Sequence, residues 1–229
     1  LLLAADYSQI ELRVIAALAN DTAMIEAFRN GEDIHKATAA KVFEVPLEEV
    51  SREQRSNAKT VNFGIVYGVS AFGLSQQTDM SRSEAKAAID GYFRTYPGIK
   101  AYMDEQVAFA REHGYVETIT GRRRYLKDIE SRNAVVRGHS ERNAVNAPIQ
   151  GSAADIIKLA MIEIDRAMRA QGLKSKMLLQ VHDELVFDAV AHELDALKAL
   201  VVEKMEAAVD LAVPMIAEVG TGKTWLEAH

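Results

Sequence analysis

The sequence holds no cysteine in 229 residues. Disulfide bridges and thiolate-held zinc are therefore excluded, which suits a reducing compartment. Proline is scarce, with four in the whole chain, so helical segments meet few obligatory breaks. No apolar run approaches the roughly 20 residues of a membrane helix. The apolar start, LLLAADYSQIE, has no basic flank before it and no small-residue cleavage site after it, so it does not read as a secretory signal. Also missing is any surplus of positive charge. The formal net charge of −6 argues against a protein that wraps nucleic acid by bulk attraction.

What is present is the composition of an ordinary globular protein rich in helix formers: 48% hydrophobic and 26% charged residues, with enough chain for one or two domains. Charge is unevenly spread. Positive residues cluster in GRRRYLK (Gly121 to Lys127) and continue through Arg132, Arg137 and Arg142, while acidic residues gather around Glu44 to Glu53 and from Glu193 to Asp210. A locally basic groove on an acidic protein fits that distribution.

The opening run predicts a buried strand ending at Asp6. Apolar residues then recur at helical spacing from Ile10 to about Asn30, from His35 to Val45 and from Ser51 to Tyr67, with NGED and FEVPLEE as punctuation. SRSE has the form of a capping box and starts a helix running from Ser81 to Tyr96, where Pro97-Gly98 ends it. Another helix follows to about Glu112. YVETITGRRRYL favours extended structure around a glycine turn. Pro148 is expected to start or kink a long helix that reaches Gln171 and closes at Gly172. LLQVHDELVF (Leu178 to Phe187) reads as two short strands with a tight polar connection, before a helix from about His192 to Val209 and a strand near Met215 to Val219. This order predicts an α+β fold, in which a helical block is inserted into a small antiparallel sheet domain assembled from both ends of the chain.

Three constellations carry chemistry. Asp6 ends the first apolar run much as Asp183 follows the run Met177 to Val181. If those strands are neighbours, both carboxylates project from one sheet edge and can share hard cations with substrate phosphates. In RSNAKTVNFGIVYG, Arg55, Lys59, Phe63 and Tyr67 stand four apart and form one slowly drifting helical stripe, while Ala58, Val61 and Ile65 fall on a core-facing side. Two cations followed by two rings suit phosphates and a base or sugar, or else a solvated basic start and a buried aromatic end. Gly64 inside this helix implies a close approach. Arg142, Asn146 and Gln150, also four apart, offer a row of donors that can read minor-groove acceptors, or a plain polar helix face. GTGKT near the end is not a phosphate-binding loop, because Ala217 stands where the first glycine is required and no useful helix follows.

Taken together, DYSQIELR (Asp6 to Arg13), RSNAKTVNFGIVYG (Arg55 to Gly68) and QVHDELV (Gln180 to Val186) resemble motifs A, B and C of the family A DNA polymerases, the bacterial DNA polymerase I group. TGRRRYL, NAPIQGSAADIIK and WLEAH extend the resemblance over essentially the whole chain. It implies a split palm, residues 1–18 and 142–229, with fingers between them at 19–141. It implies template-directed DNA synthesis, with two magnesium ions held by Asp6 and Asp183, and with Tyr7 as a further metal contact. Glu184 becomes an auxiliary catalytic acid. Arg55, Lys59 and His35 become triphosphate contacts, Phe63 packs on the nucleotide, Tyr67 occupies the template side, and Glu11 crowds the 2′ position. Tyr7, Ser8 and Gln9 line the site partly through backbone. Arg142, Asn146, Gln150, Gln180 and His182 contact primer and template. The implied partners are primer-template DNA and deoxynucleoside triphosphates, with no membrane, in a bacterial cytoplasm near the nucleoid. Lys127 departs from the family pattern, where a proline commonly follows RRRYL. The abrupt start implies a C-terminal fragment, with the thumb and the remaining palm expected from a missing N-terminal part. The rival readings are a catalytically inactive nucleotide- or nucleic-acid-binding fragment and a single-subunit RNA polymerase-like enzyme.

Overall fold

The computed structural model describes residues 1–229. In chain order its elements are β1 (Leu2–Tyr7), α1 (Ile10–Leu18), α2 (Thr22–Arg29), α3 (Ile34–Val42), α4 (Arg52–Val66), α5 (Ala71–Ser75), α6 (Arg82–Thr95), α7 (Pro97–His113), β2 (Tyr115–Glu117), β3 (Arg123–Tyr125), α8 (Ala134–Ala170), β4 (Lys176–Val181), β5 (Glu184–Asp188), α9 (Leu194–Glu206), β6 (Ala217–Gly222) and α10 (Trp225–Ala228). The chain divides into two compact units, Leu1–Glu11 with Ser152–His229, and Leu12–Gly151.

The first unit is built on a four-stranded antiparallel sheet in the order β4-β5-β1-β6. The consecutive β1 residues Leu3, Ala4 and Ala5 are all buried, and since successive side chains point to opposite faces, both faces of the strand are covered. That explains an unbroken apolar run where alternation is the usual strand signal. The register sets Asp6 opposite Glu184 on β5 and opposite Glu218 on β6. Glycines in β6 admit the short α10. A Cβ on Gly220 would lie 2.0 Å from Ala228 O, and one on Gly222 would lie 2.4 Å from Glu227 Cβ. The GTGKT glycines are thus packing positions.

In the second unit, the periodic stretch from Ile10 to Asn30 is two helices, not one. Asn20 turns into the left-handed region at φ 46°, and the buried Asp21 carboxylate accepts from Met24 N at 3.0 Å and from Gly98 N at 2.9 Å. One side chain therefore serves the N-termini of both α2 and α7, an arrangement favoured by the helix dipoles. Capping boxes open α4 at Ser51 and α6 at Ser81. The strands β2 and β3 form a hairpin over Ala110, Val116, Leu126, Ile129, Ala144 and Ala147.

The helix expected to begin or kink at Pro148 begins 14 residues earlier, at Ala134, and passes through that proline. Asn133 Oδ1 accepts from Val135 N at 3.0 Å at its start. The proline's lost hydrogen bond is outweighed by burial on either side, at Ala144, Val145, Ala147 and Ile149.

Candidate functional site

The predicted site residues fall into two groups. Asp6, Tyr7, Ser8, Gln9, Glu11, Gln180, His182, Asp183 and Glu184 belong to the sheet unit, and His35, Arg55, Lys59, Phe63, Tyr67, Arg142, Asn146 and Gln150 to the helical unit.

In the sheet unit, only His182 and Asp183 connect β4 to β5, and His182 adopts φ 55° to make so short a turn. Glu184 is the first residue of β5 and is buried, so it does not belong to the polar connection itself. Tyr7 N donates to Asp183 O at 3.3 Å, so the turn is tied to the end of β1. The strands expected to be neighbours, β1 and β4, are not, because β5 lies between them; β1 pairs with β5, and the turn that carries Asp183 reaches the end of β1 from there. Burial, and then the Asp183 and Glu184 carboxylates, push the Asp6 carboxyl up to about 6; Glu218 adds to this and His229 opposes it. Asp6 Oδ1 is buried and has no hydrogen-bond partner.

A carboxylate oxygen left without a donor, among other carboxylates, is an acceptor site for a hard cation. No three or more acidic or histidine side chains are grouped as a complete ligand set. Tyr7 offers only backbone, because its buried hydroxyl donates to Met205 O at 2.7 Å in the last turn of α9. Ser8 N donates to Ile216 O, and Gln9 turns the chain into α1 at φ 55°. Gln180 Nε2 donates to His182 O at 2.8 Å and steadies the turn from β4.

Both oxygens of Glu184 are engaged. Trp225 Nε1 donates to Oε1 at 2.6 Å, and His229 Nδ1 lies 3.1 Å from Oε2. Sequence reasoning about catalysis did not assign these partners, since WLEAH carries no catalytic signal of its own.

In the helical unit, α4 presents the expected stripe. Arg55 and Lys59 are exposed, Phe63 is half-buried and Tyr67 is exposed, while Ala58, Val61 and Ile65 are buried. Lys59, Phe63 and Tyr67 line a cleft of about 460 Å³. Arg55 Nε donates to Asp33 Oδ2 at 2.6 Å, and Asp33 Oδ1 caps α3 at His35 N and Lys36 N. Burial raises the Asp33 carboxyl, but the bonds from Arg55, Lys36 and His35 prevail, and it lies below the ordinary carboxylate value.

The helix ends in a Schellman motif. Val69 N donates to Gly64 O and Gly68 N to Ile65 O, with Gly68 at φ 72°. The close approach implied by Gly64 is made by the protein itself, because a Cβ there would lie 2.7 Å from Val69 Cγ1. Arg142 packs over Gly68, where a Cβ would lie 2.8 Å from Arg142 Cγ. Asn146 is half-buried with a partnerless buried Oδ1, and Gln150 is exposed, so the row on α8 offers polar groups. Arg122 Nη2 donates to Gly151 O and binds the basic hairpin to that helix.

Sequence reasoning also passed over Asn62, which is wholly buried. The signal was available, since residues 58, 61, 62, 65 and 66 form one apolar helical face with a single amide on it.

The model for DNA polymerase family A matches residues 1–227. DNA polymerase I of Lactococcus lactis is 54% identical over 229 residues, all of this chain and 26% of that protein. DNA polymerase I of Streptococcus pneumoniae is 56% identical over 228 residues, 99% of this chain and again 26% of that protein. The chain thus spans about a quarter of the length of these relatives. Among solved structures, the POL domain of Pol1 from M. smegmatis, in complex with DNA primer-template and dNTP, superposes with a TM-score of 0.95. It is 48% identical, and the match covers 99% of this chain and 40% of that one. With motif order, strand register and near-complete coverage all in agreement, the chain belongs to DNA polymerase family A.

Proposed function

We propose that this chain carries the catalytic region of a DNA-directed DNA polymerase that extends a primer with deoxynucleoside triphosphates on a template strand. The observation that carries the reading is the acidic edge where β1 meets β5, with its partnerless Asp6 oxygen, in a chain of this family. In this reading residues 1–18 and 142–229 serve as palm and residues 19–141 as fingers.

Asp6 and Asp183 would hold two magnesium ions, helped by the Tyr7 backbone. Bound magnesium supplies neutralisation of phosphate charge and a lowered pKa for the primer hydroxyl. The chain's own residues position the reactants. Arg55, Lys59 and His35 bind the triphosphate, Phe63 packs on its sugar and base, and Tyr67 stands on the template side. Glu11 limits room at the 2′ carbon. Arg142, Asn146, Gln150, Gln180 and His182 hold primer and template near the growing end. The primer 3′ oxygen bonds to the α-phosphorus, its proton leaves to solvent, and the bond to pyrophosphate breaks. Glu184, bonded at both oxygens, acts as a fixed charge beside Asp6.

Primer extension with magnesium, compared between the protein and an Asp183→Ala variant, tests the proposal. Extension by the parent and none by the variant is expected. A parent that binds primer-template and nucleotide without extending them would reduce the chain to a binding module.

A further inference from the structure

Four polar side chains from three helical segments form one line inside the helical unit. Tyr96 Oη lies 3.0 Å from Thr38 Oγ1, Thr38 Oγ1 donates to Asn62 Oδ1 at 3.1 Å, and Asn62 Nδ2 lies 2.9 Å from His35 Nδ1. His35 and Thr38 stand on α3, Asn62 on α4, and Tyr96 at the end of α6. Thr38, Asn62 and Tyr96 have no exposed surface, and His35 is 3% exposed.

Such a line can run in two directions, and counting protons chooses between them. Suppose Asn62 Oδ1 faced His35. The ring would carry its proton on Nδ1, Asn62 Nδ2 would donate to Thr38, and Thr38 would donate to Tyr96. The Tyr96 hydroxyl proton would then be buried without an acceptor. In the other direction Tyr96 donates to Thr38, Thr38 to Asn62 Oδ1, and Asn62 Nδ2 to His35 Nδ1. Every hydroxyl proton is then used. An unmet buried donor costs more than one hydrogen bond contributes, so the line is polarised toward His35.

We infer that Asn62, itself oriented by Thr38 and Tyr96, is a positioning residue that locks His35 in the tautomer protonated at Nε2, so that the ring meets the nucleotide's phosphates as a hydrogen-bond donor. This rests on the polymerase reading, in which His35 faces a triphosphate. Charge supports the same role. Burial, reinforced by Arg55 and Lys59 and opposed by Asp33, holds the ring down to about 4, so it is uncharged at neutral pH. An uncharged imidazole can donate to an anion only from the nitrogen that carries the hydrogen. A carboxylate at position 62 would do the reverse, accepting from Nδ1 and leaving Nε2 as a lone pair facing phosphate oxygens. An amide held the right way round avoids this without adding charge beside two cations.

The test is nitrogen NMR on histidine-labelled, nucleotide-free protein, read together with steady-state incorporation. His35 of the parent is expected with its proton on Nε2. Asn62→Asp is expected to move the proton to Nδ1, and Thr38→Val, which keeps the shape of the side chain, to give a mixture of tautomers as the amide loses its anchor. Both variants should raise KM for the incoming nucleotide by about tenfold, with a smaller change in kcat. A parent protonated at Nδ1, or an Asn62→Asp variant that keeps both the Nε2 proton and the parental KM, would overturn the inference. The two readings fail separately. An inactive protein with the Nε2 tautomer counts against the polymerase reading alone, and an active one with the Nδ1 tautomer counts against the lock alone.

Discussion

Trp225 donates its indole N–H to Glu184 Oε1 at 2.6 Å, and with His229 near the other oxygen the carboxylate is held on both sides. Glu184 is only 5% exposed, so losing a donor leaves a buried charge poorly satisfied. Trp225→Phe keeps most of the ring's bulk and removes the N–H. Urea denaturation at pH 7 is expected to show a loss of about 1–3 kcal/mol. An unchanged midpoint would mean that the contact contributes nothing.

The Asp6 carboxylate faces Asp183 and Glu184, and burial and repulsion together oppose its charge. In the metal-free protein this is a local destabilisation at the proposed metal site. Asp6→Asn removes the charge with little change of shape. The metal-free variant is expected to be more stable than the parent at pH 7 by about 1 kcal/mol, after discounting for partial exposure. Added magnesium should stabilise the parent and leave the variant's midpoint unmoved. A variant less stable than the metal-free parent would show that the Asp6 charge is not repelled.

Glu193 governs a different pH range. Its carboxylate accepts from Ser175 Oγ at 2.6 Å, from Ser175 N at 2.8 Å and from Lys174 N at 2.9 Å. These bonds, that from the Ser175 hydroxyl first, hold the carboxyl down to about 2. A carboxyl depressed by folding adds stability that is fully present above its unfolded value, 4.5, and is lost as pH falls through its folded value. Glu193→Gln should therefore be less stable than the parent at pH 7, and the gap should narrow steadily between pH 4.5 and pH 2. A gap independent of pH across that window would refute the assignment of the shift to these bonds.

Much of this architecture was legible because apolar periodicity and polar punctuation agreed. The Ser51 and Ser81 capping boxes, the α4 stripe and the β4-β5 turn all follow from local side-chain chemistry, with apolar faces setting their register. What escaped depends on contacts between distant segments. The Asp21 cap on Met24 N is a local signal for the break between α1 and α2, whereas its second bond, to Gly98 N at the start of α7, comes from 77 residues away and leaves no mark near Asn20. Pro148 drew the start of α8 toward itself because a proline lowers helix propensity, whereas the packing that overrides it is tertiary. Asn62 was passed over for a related reason. A single amide on an apolar face has no meaning until Thr38, Tyr96 and His35 arrive from other helices. The two engaged oxygens of Glu184 belong to the same class, being supplied 41 and 45 residues further along the chain.

Gly64 offers the sharpest test of how motif and packing combine. In an exposed helix, replacing glycine with alanine stabilises by about 1 kcal/mol. Here the added Cβ would lie 2.7 Å from Cγ1 of Val69, a β-branched side chain that turns poorly and belongs to the motif ending α4 beside Tyr67. Gly64→Ala is therefore expected to reverse sign and destabilise by about 1–2 kcal/mol. Adding Val69→Ala removes the obstructing methyl groups, so the double variant should recover most of that loss relative to Val69→Ala alone. The cycle is read by denaturation, and a coupling energy near zero would mean that Val69 does not fill the space above Gly64.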